Sequence, residues 1–181
     1  MASRLARVRV MGYREQGGGA GGRPKERDDI DESQFPHRLR VRVRFAETDA
    51  NRHVSQVSYL IYFEEARTAL MAAHVPTFDW FTGEHTLVLV RQWIDYLAPA
   101  HFPDRLDVWS CAVALGTSSI RLAHVITRDD AGGTTRIAHG ESTMVLVDAA
   151  RGTSKPWPEP VRTAWTSVLR PELAPTFDRR R

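Results

Sequence analysis

Two runs that flank a polar turn decide the fold, RLRVRVRF at residues 38–45 and VSYLIYFEEARTALMAA at residues 57–73. The first run alternates with period two, which places apolar residues on one face of a strand and arginines on the other. The second has helical length, and its first turns are apolar nearly all the way round, which is typical of a buried helix. Ser55 is a suitable N-cap, so we predict a helix that starts near Gln56 or Val57.

Four more strands are predicted downstream, at residues 86–97, 105–115, 118–129 and 134–147. Leu115-Gly116-Thr117 and Ala131-Gly132-Gly133 supply tight connections between the last three, as in hairpins. The order of strand, buried helix and antiparallel meander predicts an α+β domain whose sheet wraps the helix.

The composition changes at both ends of this domain. Glycines at residues 17–22 are followed by a charged stretch, so we expect residues 1–36 to form a disordered N-terminal extension. Prolines interrupt regular structure near the other end, so we expect a single domain over residues 37–165 and a flexible tail over residues 166–181.

The charge distribution argues against a nucleic-acid partner. The net charge is +3, yet residues 37–165 hold fourteen basic and fourteen acidic residues, so the excess lies outside the domain. A nucleic-acid-binding domain would concentrate positive charge on its folded surface. The arginine row at residues 38–44 is therefore interpreted as a solvated face or a set of subunit contacts, with phosphate binding as the alternative.

The compartment is predicted from apolar runs and cysteine usage. No eighteen-residue apolar stretch is present, so we expect no membrane span. The first ten residues alternate arginine with apolar residues, unlike a secretory signal. Cys111 is the only cysteine, and it sits in an apolar strand, which predicts a buried, inert thiol and a cytoplasmic protein.

The segment 44–67 resembles the 4-hydroxybenzoyl-CoA thioesterase family of hotdog proteins. The resemblance rests on Thr48-Asp49, His53-Val54, Tyr59 and the run Phe63-Glu64-Glu65-Ala66-Arg67. Further matches lie at residues 94–100 and at Gly116-Thr117-Ser118-Ser119, so the resemblance covers about residues 37–150. It departs from the family at Arg52, where a glycine is usual, and at Ser55 and Gln56, where asparagines are usual.

The resemblance implies a hotdog fold, with a curved antiparallel sheet around a central helix, in a homodimer or tetramer with interfacial sites. It implies hydrolysis of an acyl-CoA or acyl-carrier-protein thioester without a metal or redox cofactor, since coenzyme A is part of the substrate. The seven histidines show no close paired spacing, so no zinc site is expected.

Asp49 is the family's catalytic carboxylate position, and it could act as a general base or as a nucleophile. The helix that follows begins about seven residues later, and its first N–H groups could form an oxyanion site. His53 is a candidate to orient Asp49 or contact substrate, or else shapes the loop. Tyr59 is a candidate to line the site.

Substrate-binding candidates are Glu64, Ser118, Ser119 and Arg121. Glu64 has a simpler role as the helical partner of Arg67. The other three could bind the coenzyme across the subunit interface, or fill ordinary strand and hairpin roles. Two rival functions remain, a non-catalytic acyl-CoA or acyl-carrier-protein binder and a hotdog hydratase or dehydratase. Hotdog hydratases and dehydratases carry an Asp-x-x-x-x-His pair, with four residues between the Asp and the His, whereas only three residues separate Asp49 from His53.

Overall fold

The computed structural model describes residues 31–75 and 84–177. Its main elements are β1 (His37–Arg42), α1 (Gln56–His74), β2 (His85–Tyr96), β3 (Arg105–Leu115), β4 (Ser119–Asp130), β5 (Gly133–Asp148) and α2 (Glu159–Thr166). Short 3-10 helices lie at Glu32–Gln34, Phe45–Glu47 and Pro171–Phe177. The four downstream strands and the long helix predicted from the sequence are confirmed to within a residue or two at each end.

The five strands form one antiparallel sheet in the order β1-β3-β4-β5-β2. Strands β3, β4 and β5 make the predicted meander, and β2 lies at one edge. Strand β1 stops at Arg42 instead of continuing to Phe45, because the chain turns into the 3-10 helix Phe45–Glu47. There Glu47 accepts a hydrogen bond from the Arg44 backbone N–H at 2.7 Å, which closes the turn.

Helix α1 packs against one face of the sheet, which we call the helix face. Tyr59, Tyr62, Phe63 and Ala66 are buried there against residues of β1, β3, β4 and β5, among them Val41, Val108, Ile126 and Ala138. Removal of this apolar surface from water stabilises the arrangement by roughly 25 cal/mol per Å². The predicted α+β arrangement, a curved antiparallel sheet around a long buried helix, is confirmed.

Residues 157–177 extend the domain instead of forming a tail. Trp157, Val161 and Trp165 pack beside the C-terminal half of α1 on the helix face. The chain then passes round the edge of β3, where Ala112 N–H donates to Val168 O at 2.9 Å and Arg170 N–H donates to Ala112 O at 2.7 Å. The segment ends on the opposite, outer face of the sheet.

The outer face is covered by side chains from both ends of the described chain. Leu173 and Phe177 are buried there with Phe35, over Cys111. The predictions of disorder up to residue 36 and of flexibility beyond residue 165 are therefore wrong for residues 31–36 and 166–177. Single apolar side chains between the prolines bury enough surface to order both segments. The remaining parts of these predictions, residues 1–30 and 178–181, lie outside the described residues.

Cys111 is fully buried, and burial raises the pKa of its thiol to about 12, as expected for an inert cysteine. Within the described residues, no helix is long and apolar enough to cross a membrane.

Candidate active site

Asp49 lies in a tight turn between the 3-10 helix Phe45–Glu47 and α1. Its N–H donates to His53 O at 2.8 Å, and its carbonyl accepts from Arg52 N–H at 3.0 Å. Carboxylate oxygen Oδ1 accepts from the N–H groups of Asn51 at 2.8 Å and His53 at 3.2 Å. The side chain is exposed, and among the described residues Oδ2 accepts no hydrogen bond. One oxygen thus shapes the turn and the other remains open to solvent.

Arg52 provides the left-handed residue of this turn. Its φ is 64°, in the region that favours glycine, and it is the one non-glycine residue with positive φ in the described part of the chain. The resemblance places a glycine at this position, and the φ of Arg52 is one that glycine adopts without strain. An L-residue with a side chain pays roughly 1–2 kcal/mol for this conformation.

A second loop, residues 98–104, holds the turn from one side. Val54 N–H donates to Ala100 O at 2.8 Å, and His53 pairs with His101 in a short antiparallel bridge. The two imidazole rings meet edge to face with centroids 5.0 Å apart. His101 was not predicted from the sequence, although it directly follows the matching run at residues 94–100.

The start of α1 is fixed by Glu47 rather than by a side-chain cap. Ser55 occupies the N-cap position as predicted, but its hydroxyl makes no capping hydrogen bond. Its N–H donates instead to Glu47 O at 2.8 Å, and Ser58 N–H donates to Ser55 O at 2.9 Å. Among the residues that the structure describes, no side chain accepts a hydrogen bond from the first N–H groups of the helix, which carry the positive end of its dipole.

Glu47 is a buried carboxylate that the sequence did not single out. Its Oε2 accepts from the Tyr62 hydroxyl at 2.8 Å, and its Oε1 pairs with the Arg44 guanidinium at 2.7 Å. Burial alone would raise the pKa of Glu47, but the hydrogen bonds from Arg44 and Tyr62 outweigh burial and hold the pKa below its usual value. Burial and the bond to Glu47 raise the pKa of Tyr62.

Tyr59 lies in the first turn of α1, below the loop that carries Ala100. Its ring is buried and contacts the rings of Tyr62 and Tyr96, with centroids 6.0 and 5.2 Å away. Burial raises the pKa of Tyr59 to about 12, against a smaller opposing effect of a hydrogen bond with the Ala100 backbone. The hydroxyl is therefore protonated at neutral pH and can act only as a neutral hydrogen-bonding group.

The predicted substrate-binding residues do not gather around Asp49 within one chain. Glu64 is exposed and pairs with Arg67 at 3.1 Å, as their spacing indicated. Ser118 and Ser119 lie where β4 begins, at the end of the sheet opposite to Asp49. Arg121 makes two bonds to the buried Glu141, at 3.0 and 2.6 Å. A site that combines these residues with Asp49 would need a second subunit.

The described residues contain no group of three or more His, Cys, Asp or Glu side chains placed to hold a metal ion. The chemistry available at the turn is that of a carboxylate, two imidazoles, a neutral phenol and the N–H groups of a helix start. The antiparallel sheet around a long buried helix is a hotdog fold, and a carboxylate lies in the turn before its central helix. Residues 43–165 match the model of the thioesterase-like superfamily, and the chain belongs to that superfamily as a thioester hydrolase.

Relatives of known name agree with this assignment. The chain is 28% identical over 110 residues to an acyl-CoA thioester hydrolase of Escherichia coli, covering 60% of this chain and 79% of the relative. It is 33% identical to a Thermus thermophilus thioesterase solved with coenzyme A and zinc, with a TM-score of 0.64 and coverage of 75% and 95%. A Synechocystis 1,4-dihydroxy-2-naphthoyl-CoA thioesterase shares the fold at 22% identity, with a TM-score of 0.65 and coverage of 73% and 96%.

Proposed function

We propose that the protein hydrolyses an acyl-CoA thioester to the free acid and coenzyme A, with Asp49 as the reacting carboxylate. The observation that carries this proposal is the turn itself, which holds Asp49 through Oδ1 and leaves Oδ2 open just before the start of α1. The names of the E. coli relative and of the coenzyme-bound Thermus structure support the same substrate class.

In the general-base route, Asp49 takes a proton from water while the water oxygen attacks the thioester carbon. In the nucleophilic route, Oδ2 attacks first and water then hydrolyses the resulting anhydride. Either route places negative charge on the carbonyl oxygen, which the first N–H groups of α1 would stabilise by roughly 3 kcal/mol per donor. Collapse of the tetrahedral intermediate expels the coenzyme A thiolate, which then takes up a proton.

His53 and Tyr59 are proposed as supporting groups at this centre. The N–H of His53 already fixes Oδ1 of Asp49, and its imidazole lies beside that of His101. We propose that these imidazoles contact the substrate at the mouth of the site. Tyr59 borders the same place from below and, being neutral, would donate a hydrogen bond rather than accept a proton.

The proposal includes a homo-oligomer, a dimer or a tetramer. Strand β2 is an edge strand of twelve residues, and Val88, Leu89 and Val90 on it are 40%, 40% and 57% exposed. Val57, Leu60 and Ile61 on α1 are exposed as well. Such apolar surface is typical of subunit contacts. Glu64, Ser118, Ser119 and Arg121 would then contact coenzyme A bound mainly by the neighbouring subunit.

The test is a thiol-release assay with short, medium, long and aromatic acyl-CoAs and with acyl-carrier-protein thioesters. We expect turnover of at least one acyl-CoA by the native chain and a loss of about 100-fold or more in Asp49→Asn. Turnover by the variant equal to that of the native chain would remove Asp49 from the chemistry. Binding of acyl-CoA without any turnover would favour the non-catalytic binder instead. Light scattering should give a mass of two or four chains.

A cytoplasmic location is also proposed. Its support is the free thiol of Cys111, the only cysteine of the sequence, which is compatible with a reducing compartment. Fractionation of cells expressing the full chain, with the labelled protein followed in each compartment, would test it.

A further inference from the structure

Arg42 and Arg105 lie directly opposite each other on the adjacent strands β1 and β3. They are register partners in the β1–β3 ladder, and both are exposed. Directly opposed residues of an antiparallel pair have Cβ atoms about 4.5–5.5 Å apart, and like charges at such positions are destabilising. Within residues 31–75 and 84–177, neither guanidinium forms an ion pair or a hydrogen bond. The fold thus holds two positive charges together without a protein anion between them.

The neighbouring arginines add to this positive charge. Arg38 and Arg40 lie on the same outer face of β1, and both bind the single carboxylate of Asp107, at 2.6 and 3.0 Å. Four arginines therefore share one acidic side chain. Residues 37–165 as a whole are balanced in charge, so this cluster is a local excess of three positive charges that acidic residues elsewhere in the domain offset.

The pair lies at the same end of the sheet as the Asp49 turn. One residue beyond Arg42, Val43 N–H donates to Asp104 O at 2.9 Å, and Asp104 immediately precedes Arg105. Asp104 N–H in turn donates to His101 O at 2.8 Å, and His101 pairs with His53 of the turn. A short chain of backbone contacts therefore fixes the arginine pair relative to the proposed reaction centre.

We propose that Arg42 and Arg105 form an anion clamp that binds the phosphate groups of the coenzyme A nucleotide while the thioester lies at Asp49. This inference rests on the proposed function. Two guanidinium groups side by side suit the oxygens of a phosphate, because each can donate two parallel hydrogen bonds. A bound phosphate would also remove the repulsion that the empty pair carries. The clamp is distinct from Arg121, whose guanidinium is bonded to Glu141.

The first measurement compares Arg42→Gln with Arg105→Gln and with the double variant. For the best acyl-CoA, the double variant should raise KM about tenfold or more and leave kcat unchanged. KM of the native chain should rise with salt, and KM of the double variant should rise much less steeply. The acyl-pantetheine thioester, which has no phosphate, should give the same KM in both. Arg151→Gln serves as the control, since this exposed arginine lies at the other end of the sheet, beside Asp148.

A second variant separates the clamp from the fold. Arg105→Glu replaces the like-charge pair by an opposite-charge pair with Arg42, so it should keep or raise the melting temperature while losing nucleotide binding. Adenosine 3′,5′-bisphosphate should inhibit the native chain competitively and Arg105→Glu far more weakly. An unchanged KM for acyl-CoA in the double variant would overturn the clamp. So would an equal loss on the acyl-pantetheine thioester, or a defect confined to an acidic carrier protein.

Failure of the proposed function can be recognised separately. Calorimetry with free coenzyme A measures the clamp without turnover. If the native chain hydrolyses no thioester but binds coenzyme A about tenfold more tightly than the double variant, the clamp stands and the hydrolase proposal falls. If coenzyme A binds equally to both, the clamp falls whatever the turnover.

Discussion

Ser110 Oγ lies 2.8 Å from Nδ1 of His124 in the core, where neither side chain reaches solvent. The imidazole stacks on the ring of Phe63 from α1, with centroids 4.5 Å apart. Burial, aided by the nearby charge of Arg67, lowers the pKa of His124 to about 3. A neutral histidine is thus built into the contact between the helix and the sheet.

This burial predicts a pH-dependent stability. The unfolded chain protonates His124 near its ordinary pKa of about 6.5, whereas the folded chain does not, so acid favours the unfolded state. The free energy of unfolding should fall by about 2 kcal/mol from about pH 7.5 to about pH 5 because of this residue. Urea denaturation at each pH measures it. His124→Gln should show a shallower pH dependence, and an equal slope in both proteins would contradict the assignment.

Gly140 is predicted to be irreplaceable for a steric reason. A Cβ there would overlap the carbonyl oxygen of Trp93 on β2 and would lie 2.8 Å from the ring of Phe63. Gly140→Ala should therefore lower the free energy of unfolding by about 3 kcal/mol. Gly132→Ala is the matched control, because a Cβ at that position would meet no atom of the described residues within 4 Å. Chemical denaturation of both variants would decide the point, and equal stabilities would refute it.

The two roles of Asp49 can be separated by substitution. Asp49→Ala removes the acceptor for the N–H groups of Asn51 and His53 and should cost about 1 kcal/mol of stability. Asp49→Asn keeps a carbonyl oxygen for both bonds, so its melting temperature should stay near that of the native chain. Both variants should lose thioester hydrolysis. An active Asp49→Asn protein, or an inactive one that is also unfolded, would go against this division.

Replacement of Arg52 by glycine should stabilise the fold. At φ 64°, glycine avoids the strain of a left-handed side-chain residue, and this gain exceeds its greater loss of entropy on folding. Arg52→Gly should raise the free energy of unfolding by about 0.5–1 kcal/mol, whereas Arg52→Ala should change it little. Comparing KM of the two variants would show whether the arginine side chain also takes part in substrate selection.

Phe177 should contribute about as much to the free energy of unfolding as an aromatic residue in the core of the domain. It is 1% exposed and meets the rings of Trp93 and His139. Phe177→Ala should cost about 3 kcal/mol and speed the reaction of Cys111 with a thiol reagent in native buffer. Thr176→Ala, an exposed neighbour, should do neither. Unchanged labelling of Cys111 in the Phe177 variant would show that this segment does not shield the outer face.

The sequence predicted most of the sheet and the central helix because their signals are local. Alternation of apolar and polar residues and glycine-containing turns predicted the strands, and a long apolar run predicted α1. Helix α2 was missed because its prolines suggested a broken chain, although Pro158 is the N-cap and Pro160 lies in the first turn, where proline is tolerated. The order of the C-terminal segment was not predicted because its isolated apolar residues stabilise it only by packing on the sheet, which is formed by distant parts of the chain.

Only those parts of the candidate site that are close together in the sequence could be predicted. Asp49 and the helix start are adjacent in sequence, so their proximity followed from strand, turn and helix. The pairing of Ser110 with His124, and of His53 with His101, depends on strand register and loop docking, which no single stretch reveals. The role of Glu47 depends on Tyr62, fifteen residues away, and on the backbone of Ser55.

The passage of residues 168–170 along β3 also bears on how copies of the chain can associate. It occupies the part of that edge that the six-residue, arginine-rich β1 leaves open, whereas no described strand pairs with the outer edge of β2, which exposes the apolar residues Val88, Leu89 and Val90. Joining two unlike edges would propagate copy after copy into a fibre, but joining the same edge twice closes on itself. Pairing of β2 with β2 of a second copy would therefore use up this edge in both copies, so that strand pairing alone would end at two chains and a tetramer would need a different surface.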